Sequence, residues 1–232
     1  MTMRSSSNLE FEITPQVILK AYALGIFPMA ECATDPTLYW IEPEIRGVLP
    51  LDAIIVPKRL ARTIRQQKFE VRVDSDFDGV IEGCAASRAG RRTTWINGKI
   101  RELYGELFRQ GYCHTVETYL DGKLVGGLYG VHIGGAFFGE SMFSTETDAS
   151  KVALIYLAAR LIYANFALLD TQFVTDHLKQ FGAIEVRRAD FQKLLTASLQ
   201  FCSGFHELPS DFPPTGVLQL VSQTSKTGCS TA

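Results

Sequence analysis

Two carboxylates lie in segments whose composition otherwise indicates buried structure. Glu140 follows a glycine within the apolar, Gly-rich segment 136–143, and Asp170 follows a pair of leucines. An ionised carboxylate is costly to bury unless it is paired or used in chemistry, so both are candidates for acid–base or cation-binding roles. A structural alternative stays open for each residue, in which Glu140 pairs with an Arg or Lys and Asp170 caps a turn.

A second group of residues combines tryptophan with positive charge. Trp40 and Trp95 are the two tryptophans, and each has arginine nearby in the sequence. Aromatic rings interleaved with arginine suit stacking on an unpaired base, although core tryptophans and a solvated basic helix face are the plainer alternatives. Positive charge is concentrated in a basic ridge (Lys58, Arg59, Arg62, Arg65 and Lys68) and in a second segment (Arg88, Arg91 and Arg92).

Motifs for several other kinds of chemistry are missing. The chain contains no GxSxG, P-loop, strand–GxGxxG–helix, HExxH or CxxC pattern, so hydrolases, nucleotide motors and metal sites lose their usual markers. Its 232 residues carry a net charge of −2, which excludes a globally basic protein. Five scattered cysteines, no apolar run of membrane-spanning length and no secretory signal predict a reduced protein in the cytoplasm.

The candidate residues lie among alternating helices and strands. The turn dipeptide Asp121-Gly122 joins two apolar segments into a hairpin, and segment 136–143 predicts a third antiparallel strand. A helix is predicted over 149–164, with leucines at i, i+3 and i+7 on one face, followed by a short strand over 168–172. This order predicts a three-layer α/β (α+β) domain with a central, largely antiparallel sheet.

The sequence also predicts how the chain is divided into domains. A flexible N-terminus is predicted over 1–12, a small N-terminal module over 13–68 and the main domain over 69–205. Residues 206–232 are predicted to form a C-terminal extension, and the Ser/Thr-rich tail after Val217 is expected to be disordered.

The sequence resembles the leucyl/phenylalanyl-tRNA–protein transferase family, in order from about residue 14 to 195. The series LVGGLYGV, FFGESMFS, DASK and DTQ is far more specific than a single short motif. The matching segments are YALGIFPM (22–29), LYWIEPEIRGVLP (38–50), TTWI (93–96), HTVETYLDGKLVGGLYGVHIGGAFFGESMFS (114–144), TDASKVAL (147–154) and LLDTQFVTDHLKQFGAIEVRRADF (168–191).

The resemblance implies an activity and a fold. Family members move Leu, Phe or Met from aminoacyl-tRNA to the N-terminal Arg or Lys of a protein, which marks that protein for N-degron degradation. The donor ester is already activated, so no cofactor is expected. The main domain should resemble the GNAT acetyltransferases, behind a small N-terminal module.

Residue roles are implied by the same resemblance. Asp170 and Gln172 would occupy the catalytic positions, with Asp170 polarising Gln172 and Gln172 holding the attacking amine. Glu140 would bind the acceptor, and which of the three is the base stays open. The basic ridge would meet tRNA phosphates, while Trp40, Trp95 and Tyr104 would hold the terminal adenosine, with a core role open for Tyr104. An apolar pocket would take the donor side chain: Leu128, Phe137, Leu154, Leu157, Leu161 and Leu169.

Three alternatives are weighed against this hypothesis. The first is the same transfer with another donor or acceptor. An acidic acceptor is disfavoured, because Glu140 would bind a cation. The second is an acetyl-CoA-dependent acetyltransferase, but the Arg/Gln-xxGxG/A loop is missing and segment 144–148 is acidic where the pyrophosphate would lie. The third is a non-catalytic RNA-binding module, in which two buried carboxylates would have no use.

Overall fold

The computed structural model describes residues 12–86 and 94–227. Within these residues it contains eight helices and nine strands. In chain order they are α1 (Pro15–Ala23), β1 (Phe27–Met29), β2 (Tyr39–Ile41), β3 (Ile45–Val48), α2 (Lys58–Arg65), β4 (Glu70–Val73), α3 (Phe77–Ala85), α4 (Gly98–Arg109), β5 (Cys113–Leu120), β6 (Lys123–Ile133), β7 (Ala136–Ser144), α5 (Ala149–Tyr163), β8 (Leu168–Gln172), α6 (Asp176–Lys179), β9 (Ile184–Arg187), α7 (Arg188–Ser198) and α8 (Pro214–Thr227).

A seven-stranded sheet forms the middle layer, in the order β4-β5-β6-β7-β8-β3-β9. All of its neighbouring strands are antiparallel except β7 and β8, which run parallel. One apolar core joins the sheet to α2, α5 and α8, and a second joins it to α1, α3, α4 and α7. The predicted mixed α/β class with a largely antiparallel sheet is confirmed.

Local signals in the sequence account for several of these elements. The Asn97 side chain accepts a hydrogen bond from the Ile100 N–H at 2.8 Å and begins α4. Asp121 and Gly122 both take positive φ angles, 51° and 73°, which is the backbone that a two-residue hairpin needs between β5 and β6.

One strand from the N-terminal part of the chain completes the large sheet. β3 lies in the range 13–68, yet it is inserted between β8 and β9. A side chain at Gly47 would come within 2.7 Å of Thr171 Oγ1 and 2.8 Å of the Phe173 backbone, so only glycine allows this close approach. The boundary at residue 68 stays a prediction, but the residues that precede it contribute directly to the sheet.

The expectation for the C-terminal tail is wrong where the structure describes it. Residues 214–227 form α8, and Val217, Leu218 and Val221 are buried in the core shared with α5. The polar composition of the tail hides this apolar stripe, which recurs at helical spacing. The predictions for residues 1–11, for the arginines at 88–92 and for residues 228–232 lie outside the described ranges. In those ranges, no helix has the length and apolar character to cross a bilayer.

Candidate active site

A cavity of about 590 Å³ opens where β7 and β8 stop pairing. The register of these parallel strands runs from Ala136/Leu168 to Phe138/Asp170. The residues that follow on the two strands, Glu140 and Gln172, line the cavity. The divergence of a parallel pair therefore places a carboxylate from one strand and an amide from the other on the same wall.

Glu140 is the centre of a hydrogen-bond network in this wall. Its Oε1 accepts from the Tyr22 hydroxyl at 2.6 Å and from Gln172 Nε2 at 3.2 Å. Its Oε2 accepts from the Tyr104 hydroxyl at 3.3 Å, and the two tyrosine hydroxyls also contact each other. Both tyrosine side chains are fully buried, so they hold the carboxylate in a fixed orientation at the cavity surface.

Burial sets the protonation of Glu140. Desolvation is the largest cause, and together with the nearby Asp170 carboxylate it raises the pKa of Glu140 from 4.5 to about 8. The hydrogen bonds from Tyr22 and Tyr104 oppose this by stabilising the charged form. Near neutral pH, Glu140 is thus poised to ionise when a cation enters the cavity.

This raised pKa predicts a pH-dependent stability. Between pH 4.5 and about 8 the folded protein keeps a proton on Glu140 that the unfolded chain releases, so the free energy of unfolding falls as pH rises. The Glu140→Gln variant lacks this titration. Its stability relative to the wild type should rise by about 2–4 kcal/mol between pH 5 and pH 9 in urea unfolding. A difference that stays constant across this range would contradict the raised pKa.

Asp170 is held by a buried arginine that the sequence analysis did not select. Arg46 Nε donates to Asp170 Oδ1 at 2.8 Å and Arg46 Nη2 donates to Oδ2 at 2.6 Å, with both side chains almost fully buried. The adjacency follows from strand order, because Val48 of β3 pairs with Asp170 of β8. The structural alternative for Asp170, a turn cap, does not by itself account for this bidentate pair.

Arg46 also joins this pair to the N-terminal segment and to α7. Its Nη1 donates to the Gly25 carbonyl at 2.8 Å, and its guanidinium lies between the rings of Phe27 and Phe191, 4.7 and 4.6 Å from their centroids. No short motif links these residues. The one indication in the sequence that Arg46 belongs to the site is its position in segment 38–50, which resembles the family.

Gln172 is oriented through both its backbone and its side chain. Its N–H donates to Asp170 Oδ1 at 3.0 Å, and its φ of 54° is in the left-handed region. Asp170 thus contacts Gln172 through its backbone N–H, and the polarisation of the Gln172 side chain by Asp170 stays a prediction. Because Asp170 is fully buried, its observed contacts position Gln172 from beneath the cavity wall.

The six residues predicted to form the donor pocket divide between the lining of the cavity and the core. Leu128, Leu154, Leu157 and Leu169 line the cavity. Phe137 and Leu161 are fully buried core residues outside the lining, with Phe137 stacked on Phe205. Met29, Thr171 and His177 also line the cavity, and nothing in the sequence indicated this for them. Thr171 Oγ1 and His177 Nε2 are buried polar atoms with no partner among the described residues.

The residues predicted to hold adenosine separate into three environments. Trp95 lines the cavity, whereas Trp40 is 41% exposed on β2 and outside the lining. Tyr104 is fully buried, and its ring meets Tyr129 edge to face, so the core alternative holds for this residue. Tyr104 contributes its hydroxyl to Glu140 instead of offering a free face to a base.

The basic ridge is exposed along α2 and just after it. Arg59 pairs with Asp148 at 3.0 Å and Lys68 with Glu146 at 3.6 Å, close to the start of α5. Leu60, Ala61 and Ile64 bury the opposite face of α2, so the helix presents its cations outward by amphipathicity.

Comparisons with known proteins identify the family of this chain. Residues 48–196 match the family model "Leucyl/phenylalanyl-tRNA protein transferase", and residues 11–44 match the model of its N-terminal domain. Proteins named leucyl/phenylalanyl-tRNA–protein transferase are similar along most of their length. The one from Rhodopseudomonas palustris strain HaA2 is 57% identical, covering 94% of this chain and 97% of its own.

Two further relatives carry the same name. The protein from Nitrobacter winogradskyi is 58% identical, covering 88% of this chain and 91% of its own. The one from Caulobacter vibrioides is 55% identical, covering 90% and 96%. The resemblance found in the sequence is confirmed, and the chain belongs to the leucyl/phenylalanyl-tRNA–protein transferase family.

Proposed function

We propose that this protein transfers leucine, phenylalanine or methionine from aminoacyl-tRNA to the N-terminal Arg or Lys of acceptor proteins, and so feeds N-degron degradation. The observation that carries the proposal is the linked series Arg46–Asp170–Gln172–Glu140 at the wall of a largely apolar cavity. An apolar slot accepts these side chains and excludes charged ones, which it cannot solvate. The ionisable Glu140 favours a cationic acceptor over an acidic one.

The reaction is an aminolysis of an ester. The lone pair of the acceptor α-amine attacks the ester carbonyl, the amine gives up a proton, and the tRNA ribose oxygen leaves with a proton. Because Gln172 Nε2 donates to Glu140, its Oε1 is free to accept a hydrogen bond from the attacking amine. Gln172 then holds the nucleophile near the carbonyl, and Asp170 and Arg46 fix Gln172 in place.

Glu140 would bind the cationic side chain of the acceptor. Its Oε1 already accepts two hydrogen bonds, whereas Oε2 accepts one from Tyr104 and can accept another from a guanidinium or ammonium. Trp95 on the cavity wall would stack on the terminal adenosine, with Trp40 as a second, exposed platform. The basic ridge would bind acceptor-stem phosphates without reading sequence.

Transfer between defined substrates tests the proposal. Labelled Leu-tRNA and Phe-tRNA should label peptides that start with Arg or Lys, and matched peptides that start with Ala or Glu should stay unlabelled. Labelling of the Glu peptide instead would favour the alternative specificity. A folded protein that binds tRNA and labels no peptide would contradict the proposal and favour an RNA-binding role.

The basic ridge predicts a salt effect that can be measured separately. Arg62→Ala with Arg65→Ala should weaken tRNA binding equally for different tRNA sequences and reduce the slope of log affinity against log salt by about 2. The control is Arg101→Ala together with Arg109→Ala on α4, which removes the same charge elsewhere. Equal slopes for the two double variants would show that the ridge does not contact phosphates.

A further inference from the structure

Three histidines gather around Asp74, away from the cavity. His114 on β5 places Nδ1 2.7 Å from Asp74 Oδ2, and His206, between α7 and α8, places Nε2 3.1 Å from the same oxygen. His132 on β6 meets the far nitrogen of His114 at 2.8 Å. Strands β6 and β7 separate His114 from Asp170 in the sheet, so this cluster belongs to a different part of the molecule.

We propose that Asp74, His114 and His206 bind a Zn²⁺ ion. Each of the three residues offers one ligand atom, and these atoms all lie within 4.8 Å of one another. Around a tetrahedral zinc with bonds of about 2.0–2.1 Å, neighbouring ligand atoms are about 3.3 Å apart. To reach this spacing, the contacts of His114 and His206 with Asp74 Oδ2, 2.7 and 3.1 Å, would lengthen by about 0.6 and 0.2 Å, and a water molecule would be the fourth ligand.

The contacts around these three residues match those of a metal site. The other carboxylate oxygen, Asp74 Oδ1, accepts the Thr115 N–H at 2.7 Å, which orients the carboxylate and leaves Oδ2 for the ion. With His114 Nδ1 on zinc, its Nε2–H would donate to His132 Nδ1 and fix the ring. A ligating histidine almost always donates its second nitrogen in this way.

Such an ion would attach the C-terminal segment to the sheet. Phe205 stacks on His114 with ring centroids 4.0 Å apart, and its neighbour His206 is 65% exposed at the side chain. The exposed His206 gives the ion a route in, while the buried His114 and the partly buried Asp74 hold it. No metal was expected from the sequence, because it has four histidines and neither an HExxH nor a CxxC motif. Positions 74, 114 and 206 are far apart in the chain and form no short motif.

Zinc titration of the metal-free protein tests the site. Calorimetry with a competing chelator should show one Zn²⁺ per chain, and the ion should raise the melting temperature. His206→Ala and Asp74→Asn should each weaken binding by at least about 100-fold, and His132→Ala by about 10- to 100-fold. His206 is exposed, so its loss should leave the fold intact. The matched controls are His177→Ala, the one histidine outside the cluster, and Cys202→Ser, an exposed thiol four residues before His206 in the sequence. Both variants should bind zinc as the wild type does.

Two other outcomes would overturn the zinc site. No stoichiometric zinc would mean that the cluster is a hydrogen-bond network only. Retained affinity in His206→Ala and Asp74→Asn, or its loss in Cys202→Ser, would place the ion elsewhere. The readout needs no tRNA, so it is independent of the transfer activity.

Discussion

Replacing Arg46 with methionine is expected to lower the free energy of unfolding by about 3–5 kcal/mol, because it leaves the Asp170 carboxylate buried and unpaired. Asp170→Val should cost a similar amount, because it leaves the Arg46 guanidinium unpaired. Both side chains are almost fully buried and share two hydrogen bonds, so solvent cannot replace the lost partner. Urea unfolding measures both changes.

The double variant separates stability from catalysis. Arg46→Met with Asp170→Val replaces the ion pair by apolar side chains of similar combined volume, which often costs little. It should recover at least half of the stability lost in either single variant. Transfer should remain at least 100-fold below wild type, about 2.7 kcal/mol of barrier, because the Gln172 N–H no longer has the Asp170 carboxylate as its acceptor.

A matched surface pair provides the control. Arg72 donates to Glu70 through two nitrogens and lies 4.2 Å from the Tyr119 ring centroid, so it has a bidentate pair and a ring contact as Arg46 does, but in an exposed setting. Arg72→Met should cost less than about 1 kcal/mol. If the double variant at the buried pair regained both stability and transfer, Asp170 would have no positioning role.

The sequence predicted the parts of this site that depend on local pattern. The run of leucines before Asp170 and the glycines around Glu140 indicated two buried strands, and both carboxylates are placed on them. Four of the six residues predicted for the pocket line the cavity, and they were selected from family motifs and from the leucine face of α5. These signals lie within a few residues of the positions that they describe.

Contacts between distant segments were not predictable in the same way. Arg46 meets Asp170 across 124 residues, because β3 is inserted beside β8, and nothing in its immediate neighbours indicates that insertion. Tyr22 reaches Glu140 across 118 residues. Tyr104 occupies a buried position on an amphipathic helix. The periodicity of that helix predicts that its side chain is buried, but not that its hydroxyl donates to Glu140. Pairing of this kind is a property of the assembled sheet.

Gln172→Ala is expected to lower kcat by about 10²- to 10³-fold, because the amide would hold the amine in the transition state through one well-placed hydrogen bond. The KM for tRNA should stay near its wild-type value, since Gln172 is not assigned to tRNA binding. The backbone N–H of residue 172 still donates to Asp170, so the ion pair beneath it remains. Single-turnover transfer with saturating Arg peptide measures the chemical step directly.

The comparison with Glu140→Gln makes this assignment specific. If Glu140 binds the acceptor's cation, its neutral variant should mainly raise the KM for Arg peptides and reduce the preference for Arg over Ala starts, with kcat changed less. The two variants touch neighbouring atoms, since Gln172 Nε2 lies 3.2 Å from Glu140 Oε1. A loss mainly in kcat for Gln172→Ala and a rise mainly in KM for Glu140→Gln would therefore show that Gln172 holds the nucleophile and Glu140 binds the acceptor side chain. Equal losses in kcat for both would mean that the two residues act as one unit in the transition state.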